Sequence, residues 1–227
     1  MTESDESAAE HAASAVVGIL GGTGDQGRGL GLRLARAGNA VIIGSRDAER
    51  AAGIAAEVSP GADVTGAANA DVARAADIVI VAVPYDGHRD LLVGLADELA
   101  GKVVIDCVNP IGVDKSGPHA LSVADGSAAQ EAAAVLPQST VVAAFHHVSA
   151  VTLLDESAER VDTDVWVLGD DRAATDLVQA LAERIPGVRG VYAGRLRNAG
   201  QVEALTANLI AINRRYKAHA GIRVTDI

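Results

Sequence analysis

Aromatic side chains are almost missing from this sequence, with one Phe, one Trp and three Tyr in 227 residues. The core must therefore be built from Ala, Val, Leu and Ile, and the stacking platforms of single-stranded nucleic-acid-binding proteins are excluded. Cysteine is just as scarce. Cys107 alone rules out an intramolecular disulfide and any Cys-rich zinc site, and it fits a reducing, cytoplasmic setting. Basic residues are outnumbered 30 to 19 by acidic ones, for a formal net charge of -11. Such a surface repels a nucleic-acid backbone and an anionic membrane, so an anionic ligand can be held only by a local cluster of arginines. No apolar run reaches the ~18 residues of a membrane span. Residues 1–14 form an acidic, Ser/Ala-rich stretch without the basic start and apolar run of a secretory signal, and read as a solvated or loosely helical tail. No nucleophile elbow, kinase set, paired-carboxylate spacing or zinc motif is present, so hydrolase or transferase chemistry has no support and no metal is expected.

What the chain does contain is regular alternation. Apolar runs of strand length, at residues 16–21, 40–45, 63–67, 77–84, 102–108 and 140–145, are separated by helix-length amphipathic segments near 25–38, 47–58, 69–76, 86–99 and 126–136. Val- and Ile-rich strands with little polar alternation are buried on both faces, as in a doubly wound parallel sheet. The expected fold is α/β: a Rossmann-type domain over 15–149, followed over 150–227 by a smaller C-terminal α/β lobe. The stretch 109–127 reads as a long, turn-rich loop.

The first strand runs into Gly22-Thr23-Gly24-Asp25-Gln26-Gly27, a G-x-G-x-x-G between a strand and a helix. Gly22 is assigned the tight turn, Gly24 the close approach to a pyrophosphate, and Gly27 the close packing of helix on strand. The pyrophosphate would lie at the helix N-terminus, where unsatisfied N–H groups and the helix dipole favour negative charge. Units of this kind usually end their second strand in a carboxylate that binds a free ribose 2'-hydroxyl. Here Ser45 and Arg46 stand there, with Arg50 one helical turn on. These side chains donate to a 2'-phosphate that a carboxylate would repel, which points to NADP rather than NAD. Ser45 could also cap the helix with both arginines on its surface, and the two roles are compatible.

Parallel strands direct their carboxyl ends to the ligand crevice. Val83 and Pro84 after the fourth strand, and Asn109 after the fifth, would pass along the nicotinamide. His146 and His147 follow the sixth. Neighbours in extended chain point to opposite sides, so at most one of them faces the crevice and the two do not chelate one metal. Cys107 reads as a packed strand-end residue.

These segments, with the C-terminal Val202-Glu203-Ala204-Leu205-Thr206, resemble the F420:NADP oxidoreductase family, the NADPH-dependent reductases of the deazaflavin coenzyme F420. The resemblance spans nearly the whole chain. It implies reversible, direct hydride transfer between NADPH and F420, with Thr23 to Gln26, Ser45, Arg46 and Arg50 on NADP and Ala150 near the nicotinamide amide. It further implies His146, Val148 and Thr206 along the deazaflavin, His146 being an orienting residue, and a homodimer with contacts in the C-terminal lobe. Arginines near the C-terminus, in the 194–200 stretch or Arg214 and Arg215 with Lys217, could receive the anionic deazaflavin tail. The residues themselves leave two other readings open: an NADPH-dependent reductase of a flavin, ferric complex or imine, and a non-catalytic NADP sensor.

Overall fold

Each apolar run becomes a strand because its Val and Ile side chains find partners on both sides of one sheet. The computed structural model describes residues 3–58 and 61–227. Its strands are β1 (Val17–Leu20), β2 (Val41–Ser45), β3 (Val64–Ala68), β4 (Ile78–Val81), β5 (Val103–Asp106), β6 (Ile111–Asp114), β7 (Gly117–Ala120), β8 (Thr140–Ala143), β9 (Thr163–Leu168) and β10 (Val188–Gly194). Its helices are α1 (Glu3–Ser14), α2 (Asp25–Arg36), α3 (Ala48–Val58), α4 (Asn69–Ala75), α5 (His88–Gly94), α6 (Ala96–Leu99), α7 (Ala128–Val135), α8 (Ala150–Leu154), α9 (Arg172–Glu183) and α10 (Ala199–Tyr216).

Eight strands form one sheet in the order β10-β9-β8-β5-β4-β1-β2-β3. From β3 to β8 every neighbouring pair is parallel. The chain leaves β1 toward β2 and β3 on one side, then returns to β4 on the other. The crevice of a doubly wound sheet opens where that order reverses, outside the carboxyl ends of β1 and β4. One apolar cluster, with Ile19, Leu30, Ile43, Ile80 and Phe145, fills one face, and a second, with Leu20, Val79, Leu92, Val104 and Val141, fills the other. Phe145 is the only Phe and is fully buried, so the scarcity of rings is met by aliphatic packing.

Four features differ from the reading of the chain alone. The N-terminal segment, described from Glu3, is helical but neither loose nor a free tail: α1 packs on α9 and buries Ala12, and the Asn39 amide donates to the Ala12 and Ala15 carbonyls at 2.8 and 3.1 Å. The 109–127 loop folds β6 and β7 into an antiparallel hairpin lying against α10. The helix expected over 86–99 is a 3-10 turn at Tyr85–Gly87 followed by α5 and α6, which are interrupted at Leu95. The C-terminal segment builds no separate sheet. Its β9 meets β8 through the antiparallel pair Ala143↔Leu168 and β10 pairs parallel to β9, so both extend the main sheet. Buried Asp164 on β9 ties down the chain end, accepting from Arg189, Arg223 and the Val224 N–H. Among the described residues, no helix is long and apolar enough to cross a membrane.

Candidate active site

The glycine turn sits at the reversal point between β1 and β4. Its left-handed residue is Gly21, at φ +68°, rather than Gly22. A Cβ on Gly21 would meet Val83 Cγ1 at 2.4 Å, so Val83 packs directly on the turn. Gly27 lies against Gly22, where a Cβ would stand 2.5 Å from the Gly22 Cα, and this is the close helix-to-strand packing expected of it. Gly24 is different. It is exposed, and an added Cβ would come no nearer than 3.9 Å to the protein. It precedes α2 as an N-cap without a side-chain hydrogen bond, so the first-turn N–H groups of Asp25, Gln26 and Gly27 have no intrahelical acceptor. Thr23 is half-buried in the turn and Asp25 is exposed. The Gln26 amide reaches instead to the Phe145 carbonyl at 3.3 Å. Asn69, which carries no motif signal, accepts from the Gly21 N–H at 3.2 Å and fixes the turn from α4.

At the end of β2, Ser45 is buried and its Oγ accepts from the Asp47 N–H at 3.2 Å. The cap of α3 is Asp47, whose Oδ1 accepts from the Glu49 and Arg50 N–H groups at 3.0 and 3.1 Å. With the cap supplied by Asp47, Ser45 retains its hydroxyl proton as a donor. Arg46 and Arg50 are exposed, and neither guanidinium joins an ion pair among the described residues. An uncapped helix start, an open glycine and two unpaired arginines make a donor set that fits the pyrophosphate and 2'-phosphate of NADP.

Across the crevice, the left-handed Phe145, at φ +63°, turns the chain out of β8. His146 and His147 are both buried and diverge. The His147 ring meets Trp166 edge-on at 5.7 Å, and its Nε2 accepts weakly from the Trp166 N–H at 3.4 Å. The His146 carbonyl is fastened instead: Asn109 Nδ2 donates to it at 2.8 Å and Thr206 Oγ1 at 3.1 Å. Thr206 and Asn109 thus spend these groups on the 146–149 segment. Neither nitrogen of the His146 ring, buried as it is, has a hydrogen-bond partner. Val148 is buried beside it, and half-buried Ala150 opens α8. Arg33 of α2 secures that helix from behind, donating to the carbonyls of Thr152, Leu153, Asp155 and Ala158 at 2.7–2.9 Å. Pro84 is exposed at the rim, leading into the Tyr85–Gly87 turn. Arg197, Arg214, Arg215 and Lys217 are exposed, while Arg195 stands 3.5 Å from Asp170.

Behind His146 lies a buried ionisable array with no local signature. His88 donates or accepts at Asp106 Oδ2, 2.6 Å from its Nε2, and at Glu131 Oε1, 3.0 Å from its Nδ1. Burial opposes its protonation, but the two carboxylates outweigh that cost and hold its pKa above the ordinary value. Glu203 of α10 accepts from the Ala128 and Ala129 N–H groups at 3.0 and 3.1 Å, and its Oε1 is 4.0 Å from His146 Nε2. Burial pushes Glu203 up to about 7 against those two donors, aided by the Asp106 charge. Burial likewise lowers His146 to about 4, partly opposed by Asp106, and lowers His147 to about 4 with help from the His146 charge. Cys107 is buried with its thiol pushed far up, so it is no nucleophile. Among the described residues, no group of three metal-ligating side chains occurs.

Comparison with known proteins extends the picture. Residues 16–110 match a family described as NADP oxidoreductase coenzyme F420-dependent. The chain is 42% identical over 221 residues to the F420-dependent NADP reductase of Methanothermobacter thermautotrophicus, covering 93% of this chain and 95% of the relative. It is 39% identical to the F420-dependent NADP reductase of Methanocaldococcus jannaschii, over 93% of this chain and 98% of that one. A crystal structure of a provisionally assigned F420-dependent NADP reductase from Arthrobacter sp. FB24 superposes with a TM-score of 0.80 at 26% identity, covering 92% of this chain and 99% of that chain.

Proposed function

Because the chain belongs to the family of coenzyme F420-dependent NADP oxidoreductases, we propose that it catalyses reversible hydride transfer between NADPH and the 8-hydroxy-5-deazaflavin coenzyme F420. The observation that carries this reading is one juxtaposition at the carboxyl edge of the sheet. An open glycine turn with unpaired arginines is joined through Gln26 and the Phe145 carbonyl to the segment carrying a buried imidazole without hydrogen-bond partners, and the cysteine nearby is not an activated nucleophile.

The cofactors supply the electron chemistry, NADPH as hydride donor and the deazaflavin as acceptor, so the protein's work is to bind, orient and exclude water. Backbone N–H groups from Gly22, Thr23, Gly24, Asp25, Gln26 and Gly27 would cradle the pyrophosphate, with Gly24 leaving room for its approach. Ser45, Arg46 and Arg50 would hold the 2'-phosphate, whose charge the rest of this acidic surface would repel. Val83, Pro84 and Asn109 would border the nicotinamide, and Ala150 would meet its amide. Val148 supplies an apolar wall, while Thr206 and Asn109 keep the His146 backbone still. His146 would orient the second substrate by hydrogen bonding. In this division of labour, 15–149 binds NADP, and 150–227 completes the F420 side and contributes contacts in a cytoplasmic homodimer. The 1–14 segment lies outside both tasks.

The test uses stereospecifically deuterated NADPH with oxidised F420. The expected result is one deuteron at deazaflavin C5 per turnover, with none washed into water. Label appearing in solvent, or a higher kcat/KM with riboflavin phosphate than with the deazaflavin, would overturn the reading.

A further inference from the structure

The buried array contains one contact that the binding roles above do not use. His146 is 3% exposed, and neither of its ring nitrogens is hydrogen-bonded. A buried imidazole in that state has given up water at both nitrogens, which costs free energy unless partners are supplied. Its backbone cannot swing to find them, because Asn109 and Thr206 pin its carbonyl. The nearby carboxyl is that of Glu203, whose Oε1 lies 4.0 Å from Nε2. Glu203 is itself a fixed post, tied through both oxygens to the first two N–H groups of α7.

Resting on the function proposed above, we infer that Glu203 is a positioning residue that sets the tautomer of His146, facing the ring at its Nε2 edge and leaving Nδ1 without a protein partner. Two states follow from proton bookkeeping. As a carboxylate 4.0 Å from Nε2, Glu203 favours the ring proton on that nitrogen by charge, and Nδ1 carries the lone pair. As a carboxylic acid it no longer attracts that proton, and the tautomer with the ring proton on Nδ1, which is then a donor, becomes favoured. The ring stays neutral in both, since burial keeps its own protonation near 4, whereas Glu203 changes state near 7. Nδ1 is therefore an acceptor in one state and a donor in the other, with no charge on the imidazole in either. Hydride uptake leaves negative charge on an acceptor, so the Nδ1–H state is the one that would favour reduction, and the Nδ1 lone-pair state the reverse reaction.

The other groups facing Glu203 are Asp106 on β5, His88 on α5, Glu131 on α7 and Tyr85 in the turn before α5. Arg89 lies 3.9 Å outside Glu131, and Asp125 in turn stands 3.7 Å from Arg89. Replacing Glu203 leaves all of them in place, which separates their titration from its own.

The experiment follows the His146 ring nitrogens by 15N NMR in the ligand-free protein from about pH 5.5 to 8.5. The wild type should exchange its major tautomer with a midpoint near 7, and folded Glu203→Gln should lose that step entirely. Glu203→Asp should retain a step at a displaced midpoint. In turnover, Glu203→Gln should flatten the neutral limb of the kcat profile while the NADPH dissociation constant stays within about twofold, a difference worth less than ~0.5 kcal/mol. A step that persists in folded Glu203→Gln, or its absence in the wild type, would overturn the inference. Should Glu203→Gln not fold, 13C observation of the Glu203 carboxyl in His146→Gln replaces it, and an unmoved midpoint there is equally fatal. The spectra need no F420, so their failure is distinguishable from failure of the deuterium-transfer test.

Discussion

Replacing Gly24 by Ala should separate binding from folding. The Gly24 backbone, at φ -80° and ψ 166°, is extended and open to any residue, and the new methyl would meet only the Gly21 carbonyl oxygen at 3.9 Å. Removing the glycine's freedom in the unfolded chain stabilises by about 0.4–1 kcal/mol. Ala is a poorer N-cap than Gly, at a cost of about 0.5–1 kcal/mol, so the two effects nearly cancel. The melting temperature should then stay within about 3 °C of the wild type. Binding should behave otherwise. The methyl would stand where the pyrophosphate approaches the α2 N-terminus, displacing it from at least one charge-assisted hydrogen bond of about 1.5–3 kcal/mol, which is about a 10- to 150-fold loss. Gly27→Ala is the matched control, because its Cβ would lie 2.5 Å from the Gly22 Cα and neither backbone can yield. Overpacking of this kind costs about 1–3 kcal/mol, so Gly27→Ala should lose stability as well as affinity. Calorimetric titration with NADPH and a thermal melt of each variant suffice. An unchanged NADPH affinity in Gly24→Ala would refute the placement of the pyrophosphate, and a large fall in its melting temperature would refute the open geometry.

Arg46→Ala should weaken NADPH binding by tens-fold with little effect on NADH, as expected for one lost charge-assisted contact to the 2'-phosphate; equal losses for both nucleotides in a titration would make Arg46 structural instead. Acid should destabilise the fold through His147: its native pKa, about 4, lies below the unfolded 6.5, so its stabilising contribution is full above 6.5 and lost as pH falls toward 4. Between pH 7 and 5 that loss is about 2 kcal/mol, and the unfolding free energy of His147→Gln, measured by denaturant titration, should fall less than that of the wild type over the same interval by that amount. Glu203 acts in the opposite sense: its raised pKa costs stability as pH rises from 4.5 through about 7, so folded Glu203→Gln should lose less stability than the wild type between those values in the same assay.

The sequence by itself determined the sheet, the glycine turn and the arginine-bearing end of β2. Each is a local matter: a run of β-branched residues, three spaced glycines, or two residues after a strand carry their physical meaning within a few positions. Even there, tertiary detail reassigned roles. The positive φ fell on Gly21, and Asp47 capped α3, both settled by how the turn and helix pack. Only the tertiary structure decided that α1 docks, that β9 and β10 extend the main sheet, and that a charged array lies behind the site. His88 and Asp106 are 18 residues apart, and His88 and Glu131 are 43 apart. An isolated Asp at a strand end or Glu in an alanine-rich helix reads as solvated, because charged side chains are rarely buried without partners. Those partners come from β5, α5, α7 and α10, and the burial that moves their protonation exists only once these elements close over one another.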